Sequence, residues 1–456
     1  MNERLEVRGT VYIESARRTR ARNLARRNPT SKGAIQELYR APEGPNHCCS
    51  TRQRILSEMK PSLEVVLVIL FGLALTHPAK AFVPADSVDE TALTAVARDA
   101  CQRQVVMLGE SATHGDGHTE AFKVALVERL VNKCGFDSVL FEASHYEFLN
   151  IARRLRTGLA VSADQLSSAI GGLWKFDGEF QPLVPFLLAK AQAGQISLGG
   201  IDDQLGERGQ DYANVEMIAE LTALLPQQQR QDCGLALHRR IYSDYSEAAP
   251  YSTSDRSQIA TCLSDMQLAV TADKTVDLAS KEERLEMISA TDRWISRDFT
   301  SDAELIVARD KSMFQDFQWL RRQQLKRHKV VLWAATVHIA KQGDPTWADH
   351  TGTNFASFVH QEYGARAFSL GFSALTGTYR RGHDVGEQPT APPDSLEAQA
   401  LRESRSDAVY VGPAQLAAMG TVPGAIFRHS YQTLRWSNFL DGIVVFQMEH
   451  PPTREK

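Results

Sequence analysis

Hydrophobic positions along this chain follow two rhythms. Short, nearly continuous apolar runs predict buried strands: Val105 to Leu108, Ser138 to Phe141, Ile196 to Ile201, Lys329 to Trp333, Ala367 to Gly371, Ala408 to Val411 and Gly442 to Phe446. Between most of them apolar residues recur at helical spacing, as Phe122, Leu126 and Leu130 do, and Gly135 sits where a left-handed helix stop is needed. Buried strands that alternate with helices predict an α/β fold, with a largely parallel sheet flanked by helices and antiparallel edges near the carboxyl end. Residues 210–325 break the alternation. They contain almost no β-type run, are rich in Gln, Glu, Arg, Ala and Leu, and read as several amphipathic helices. The expected organisation is an α/β core in two parts, 82–209 and 326–456, separated by a helical cap insertion, 210–325, over the carboxyl edge of the sheet. Ser246 to Ser257 is the predicted loop of the cap. A proline-rich stretch at 380–395 is expected to be a second, mobile loop.

The amino-terminal region reads differently. Residues 1–58 carry an arginine cluster and are expected to be disordered or the product of an upstream start. From Met59 a short basic start, an apolar run from Val65 to Leu75 and the small-x-small ending Ala79-Lys80-Ala81 describe a secretory signal peptide, 59–81, cleaved after Ala81. The run is much shorter than the roughly 20 residues a spanning helix needs. The alternative, a basic cytoplasmic tail with a membrane anchor, is weakened by Glu64 at the edge of that run. A periplasmic or secreted protein with no stable membrane insertion after cleavage is expected.

Four cysteines then remain, Cys101, Cys134, Cys233 and Cys262. Their even number in an exported chain predicts two disulfides, and no pair has the close spacing of a zinc site. Cys101 and Cys134 each precede a strand of one β-loop-α-β unit, so pairing between them is expected if those strands are neighbours. Cys233 and Cys262 would pair within the helical block. The net charge of −4 includes the arginines of residues 1–58, so the body is more acidic than the total suggests. Nucleic acid is therefore not expected as a partner.

Parallel strands bring their carboxyl ends to one edge, and here those ends carry chemistry. Glu110 with His114, Glu142, Asp202 and His338 each follow a predicted strand. An imidazole flanked by carboxylates is a natural general base, because the carboxylate fixes the tautomer and stabilises the imidazolium that forms. Ser111 lies in a sequence like a nucleophile elbow, but Thr113 stands where the closing glycine belongs. The same His and acidic residues have the donor chemistry for zinc or manganese, yet no HExxH pair appears. His118 and His145 read as loop or surface residues. Trp174 and Trp347 read as core or cap aromatics or as substrate platforms.

Taken in order, GESATHG with the helix to Lys123, CGFDSVLFEAS, GGIDDQ, ARDKSM at 308–313 and VVLWAATVHIAKQ resemble the erythromycin esterase family over most of residues 100–450. The resemblance implies a hydrolase, linked to antibiotic resistance, in which a histidine activates water to open a macrolide lactone without metal or other cofactor. His114 corresponds to that histidine, Glu110 and Glu142 to carboxylates around it, and His338 to the second histidine of the family's WAHNxH pattern. Lys123, Asp202 and Arg309 would bind substrate. The chain departs from the pattern twice: Glu110 and His114 are one residue further apart than usual, and Ala335 and Thr336 replace the first histidine and the asparagine of WAHNxH. The resulting expectation is an exported hydrolase of a small-molecule ester or lactone. A ligand-binding protein on an inactivated esterase scaffold and a metal-dependent hydrolase are the alternatives.

Overall fold

A computed structural model describes residues 88–206, 209–325, 328–345 and 352–454, which belong to one compact unit. The segments 1–58 and 59–81 and Trp347 lie outside the described residues. Helix α1 (Glu90–Ala100) leads into strand β1 (Val105–Leu108), then α2 (Gly117–Cys134), β2 (Ser138–Ser144), α3 (His145–Arg156), α4 (Ala163–Ile170), α5 (Leu183–Gln192) and β3 (Ser197–Asp202). The helical stretch follows as α6 (Met217–Thr222), α7 (Gln227–Ile241), α8 (Thr253–Ala272), α9 (Leu278–Ser296) and α10 (Asp302–Gln323). After it come β4 (Val330–Trp333), α11 (Phe355–Tyr363), β5 (Ala367–Arg381), β6 (Asp384–Glu387), β7 (Ala408–Val411), β8 (Val422–Gly424), β9 (Gln432–Leu434) and β10 (Gly442–Glu449).

The main sheet has the order β3-β2-β4-β1-β5-β10-β7. All neighbours from β3 to β10 are parallel, and β7 closes the edge antiparallel to β10. Because successive side chains on a strand point to opposite faces, each strand feeds two cores. Val105, Met107, Leu140, Val330 and Leu332 pack with α6 to α11, whereas Val106, Leu108, Val139, Phe141, Val331 and Trp333 pack with α1, α2, α4 and α5. The predicted cap is thus a helical layer sharing one apolar core with a face of the sheet. Within it α10 lies against β3 and carries the layer to the carboxyl edge.

Three expectations are corrected. Strand β5 runs to Arg381, well past Gly371, and pairs with β6 through a turn at Gly382, φ 63°, so the predicted mobile loop 380–395 begins as a β-hairpin. His145, expected in a loop or at the surface, is fully buried as the first residue of α3. The disulfides are those expected, Cys101–Cys134 with Cα atoms 5.1 Å apart and Cys233–Cys262 at 5.5 Å, but the strand argument for the first is wrong. Strand β4 lies between β1 and β2. What brings the two cysteines together is the packing of α1 on α2, whose carboxyl ends they occupy. Lys329, just ahead of β4, donates to both carbonyls, at 2.6 Å to Cys101 and 2.7 Å to Cys134.

Candidate active site

Strands β3, β2, β4 and β1 are consecutive in the sheet, so their carboxyl ends form one rim. Beyond β1 the backbone is pressed against the turn that follows β4: a Cβ on Gly109 would stand 2.4 Å from Thr336 Oγ1, so this position accepts glycine alone without displacement. Thr336 N–H donates to the Glu110 carbonyl at 2.8 Å, tying the two loops together. The chain then turns back on itself. His114 N–H donates to the Ser111 carbonyl at 3.0 Å, and His114 adopts φ 50°, a left-handed conformation unusual outside glycine but enriched in histidine. This turn absorbs the extra residue between Glu110 and His114, since Nδ1 of the histidine still lies 2.6 Å from Glu110 Oε1. Arg380, at the end of β5, clamps the turn by donating to the His114 carbonyl at 2.7 Å while both of its terminal nitrogens bind Asp177.

Glu110 is 1% exposed and accepts four hydrogen bonds. Oε1 takes His114 Nδ1 and the Trp174 indole N–H, the latter at 2.8 Å; Oε2 takes Lys123 Nζ at 2.7 Å and the Trp333 indole N–H at 3.1 Å. Burial pushes this carboxyl up, but the Lys123 charge and the His114 hydrogen bond outweigh it and hold Glu110 below the usual carboxylate range. A carboxylate on Nδ1 leaves Nε2 of the imidazole as the proton acceptor. Trp174 is a buried aromatic, edge-on to His114 with ring centres 5.5 Å apart.

Lys123 lies deeper than the substrate-binding position expected of it. It is 0% exposed, beneath the histidine, with its ammonium 3.9 Å from the centre of the Trp333 ring and bonded to Glu110. Burial pulls this ammonium below its ordinary value, opposed by Glu110.

The second half of the rim is a relay of charges. Glu142 Oε1 accepts from Arg309 Nη2 at 2.8 Å, and Oε2 accepts from the Ala335 N–H at 3.0 Å. The same guanidinium nitrogen donates to Asp202 at 2.7 Å. Asp202 is 0% exposed and reaches the rim through this bond to Arg309. His338 is held at Nδ1 by Asp310, with Glu142 3.4 Å from Nε2. Burial alone would lower this imidazole, but Asp310 and Glu142 raise it to about 10, so it is a cation at neutral pH. Arg309 Nη1 lies 3.1 Å from His338 Nε2, a contact that would suit a neutral imidazole. The charged form is favoured because Glu142, Asp202 and Asp310 outnumber the two cations. Glu142, in turn, is pushed up by burial but held well below its ordinary value by His338, Arg309 and, through space, His114.

Of the residues singled out from sequence, Glu110, His114, Glu142, Asp202, Arg309 and His338 come to the rim. Asp310, Trp333 and Arg380 were missed. Asp310 was within reach, since it follows Arg309 in ARDKSM, whereas Arg380 sits in a stretch that reads as loop. Ser111 is buried, and His429 reaches the neighbouring Thr113 hydroxyl at 3.1 Å. Ala335 is 1% exposed and belongs to the apolar core on the α6–α11 face.

Comparison with known proteins bears on the family and the fold. The family model described as erythromycin esterase matches residues 131–436. The putative hydrolase YbfO of Bacillus subtilis is 20% identical over 341 residues, covering 68% of this chain and 74% of that protein. Among solved structures, a succinoglycan biosynthesis protein superposes with a TM-score of 0.61 at 14% identity, covering 80% of this chain and 92% of its own. A mutant of the erythromycin esterase EreC in its open conformation gives a TM-score of 0.58 at 13% identity, covering 79% of this chain and 94% of its own. At such identities the superpositions speak for the fold. The family match spans most of the chain and includes Glu142, Asp202, Arg309, Asp310 and His338, and on that match this chain belongs to the erythromycin esterase family, whose membership supports an esterase-like hydrolase.

Proposed function

We propose that the protein is an exported hydrolase of a carboxylic ester or lactone on a small molecule, with His114 as the general base. The supporting observation is the 2.6 Å contact between His114 Nδ1 and a Glu110 carboxylate that Lys123 and two indoles keep ionised. In this reading His114 Nε2 removes a proton from water as the water oxygen attacks the carbonyl carbon. The tetrahedral intermediate carries an oxyanion, for which Arg309 and the His338 imidazolium are the neighbouring cations. Collapse breaks the bond to the leaving oxygen, which takes the proton from His114. Ala335 leaves this scheme with one histidine fewer than the family pattern, and Glu142 accepts the Ala335 backbone N–H instead.

The test is a panel of lactones and carboxyl esters assayed with the wild-type protein and with His114→Ala. Turnover should fall by about two to four orders of magnitude, the usual worth of a general base, with the folded state retained by circular dichroism. A fully active His114→Ala protein sinks the assignment. The buried methyl of Ala335 favours one other reading, a binding protein on an esterase scaffold. Tight binding of a panel compound with no turnover above His114→Ala would select it.

A further inference from the structure

Away from the rim, α3, α9 and α10 enclose a second polar cluster. His145, Glu286 and Asp316 are 0%, 8% and 0% exposed, and one donor atom from each lies within 4.8 Å of the others. His145 Nδ1 donates to the Gly200 carbonyl at 2.9 Å. That bond fixes the neutral tautomer and presents the Nε2 lone pair to the carboxylates, with Glu286 Oε1 3.7 Å away. Nε2 has no hydrogen-bond partner although it is buried, and neither has Asp316 Oδ2. A lone pair facing carboxylate oxygens in an apolar interior is repulsive unless something positive stands between them.

A further fact points the same way: an Nδ1–H donated to a backbone carbonyl is the outer contact that orients metal-ligating histidines. Around the cluster Asp203, Glu286 and Asp316 face Arg293 and Arg297, and Arg322 acts on Glu286 through space. Arg293 bonds Asp316 through Oδ1 and leaves Oδ2 open on the side of the cluster.

We propose that His145, Glu286 and Asp316 form a structural site for one divalent transition-metal ion of the zinc or manganese class. One imidazole and two carboxylates match the donor preferences of both ions. Bound there, the ion joins α3, α9 and α10, and α10 is the helix that carries Arg309 and Asp310 to the rim. The site is separate from the proposed catalytic residues and its role is to hold them in place.

The full-length protein, stripped with chelator and then dialysed against zinc or manganese, should retain about one ion per chain and melt at a higher temperature than the stripped form. His145→Gln and Asp316→Asn should each bind zinc at least about ten- to a hundredfold more weakly. The double variant His114→Ala/His338→Ala, which lacks the rim histidines, should keep the zinc with wild-type affinity and an imidazole in its X-ray absorption spectrum. That variant decides the question even if the cluster variants fail to fold. A stripped wild type that takes up neither ion, or zinc lost from the rim variant, overturns the proposal.

Discussion

Lys123 shows how far a single residue's role depends on depth. Its ammonium is fully buried and bonded to Glu110, so its effect on His114 passes through one carboxylate. Lys123→Met keeps much of the volume and removes the charge. Breaking a buried pair by deleting one partner costs about 3 to 5 kcal/mol, because the remaining charge is left uncompensated. Without Lys123 the burial of Glu110 dominates and its carboxyl rises. The wild-type carboxyl is lowered, so its stabilising contribution is present above the unfolded value of about 4.5 and is lost as pH falls through the folded one. The stability gap between wild type and Lys123→Met should therefore be widest near neutral pH and narrow in acid, and the acid limb of any hydrolytic activity should move toward neutrality in the variant. Denaturant titrations and rate profiles across pH check both; an unmoved acid limb would separate Lys123 from the function of Glu110. His114, Glu110, Glu142 and His338 were legible in the sequence because each lies at or just beyond the end of an apolar run. Depth was not legible: nothing in the local pattern distinguishes a lysine beneath the site from one that faces substrate.

Among the elements, the amino-terminal edge of the sheet is where sequence reasoning reached the right pairing by a wrong route. The expected pairing depends on β1 and β2 being neighbours, and β4, more than 180 residues later, takes the place between them. Long-range strand insertion of this kind leaves no trace in hydrophobic periodicity. Helix packing supplied the proximity instead, α1 against α2, with Lys329 bridging the two carbonyls across the end of β4. The hairpin of β5 and β6 escaped detection for a different reason, since its polar, half-exposed residues lack the apolar run that marks a strand, and with it went Arg380 and its clamp on His114. The disulfide closes a loop of 33 residues, and such a cross-link is worth about 2 to 4 kcal/mol, chiefly by restricting the unfolded chain. Cys101→Ser/Cys134→Ser should lose stability of that order in urea titrations while leaving the arrangement at the opposite, carboxyl end of the strands unchanged. A loss of hydrolysis without a loss of stability would contradict this division of the sheet into a stapled edge and a reactive one.

At the scale of the whole molecule, the cysteine pairs and the charge on the rim ask for different things from the cell. The rim needs only a folded sheet, but both cysteine pairs are joined, and such bonds persist in oxidising compartments. No helix among the described residues is long and apolar enough to cross a membrane. In the export reading proposed above, the apolar run from Val65 to Leu75, followed by Ala79-Lys80-Ala81, is an address rather than an anchor. If it is cleaved after Ala81, protein recovered from a periplasmic fraction or culture medium should begin at Phe82, by amino-terminal sequencing, and unreduced peptide maps should link Cys101 to Cys134 and Cys233 to Cys262. Protein held in a reducing cytoplasm by deletion of residues 59–81 should carry free thiols and melt at a lower temperature, by an amount that oxidation in vitro restores. An exported protein whose amino terminus lies upstream of Met59, or a cytoplasmic form as stable as the exported one with its thiols reduced, would remove the link between the leader, the disulfides and the folded state.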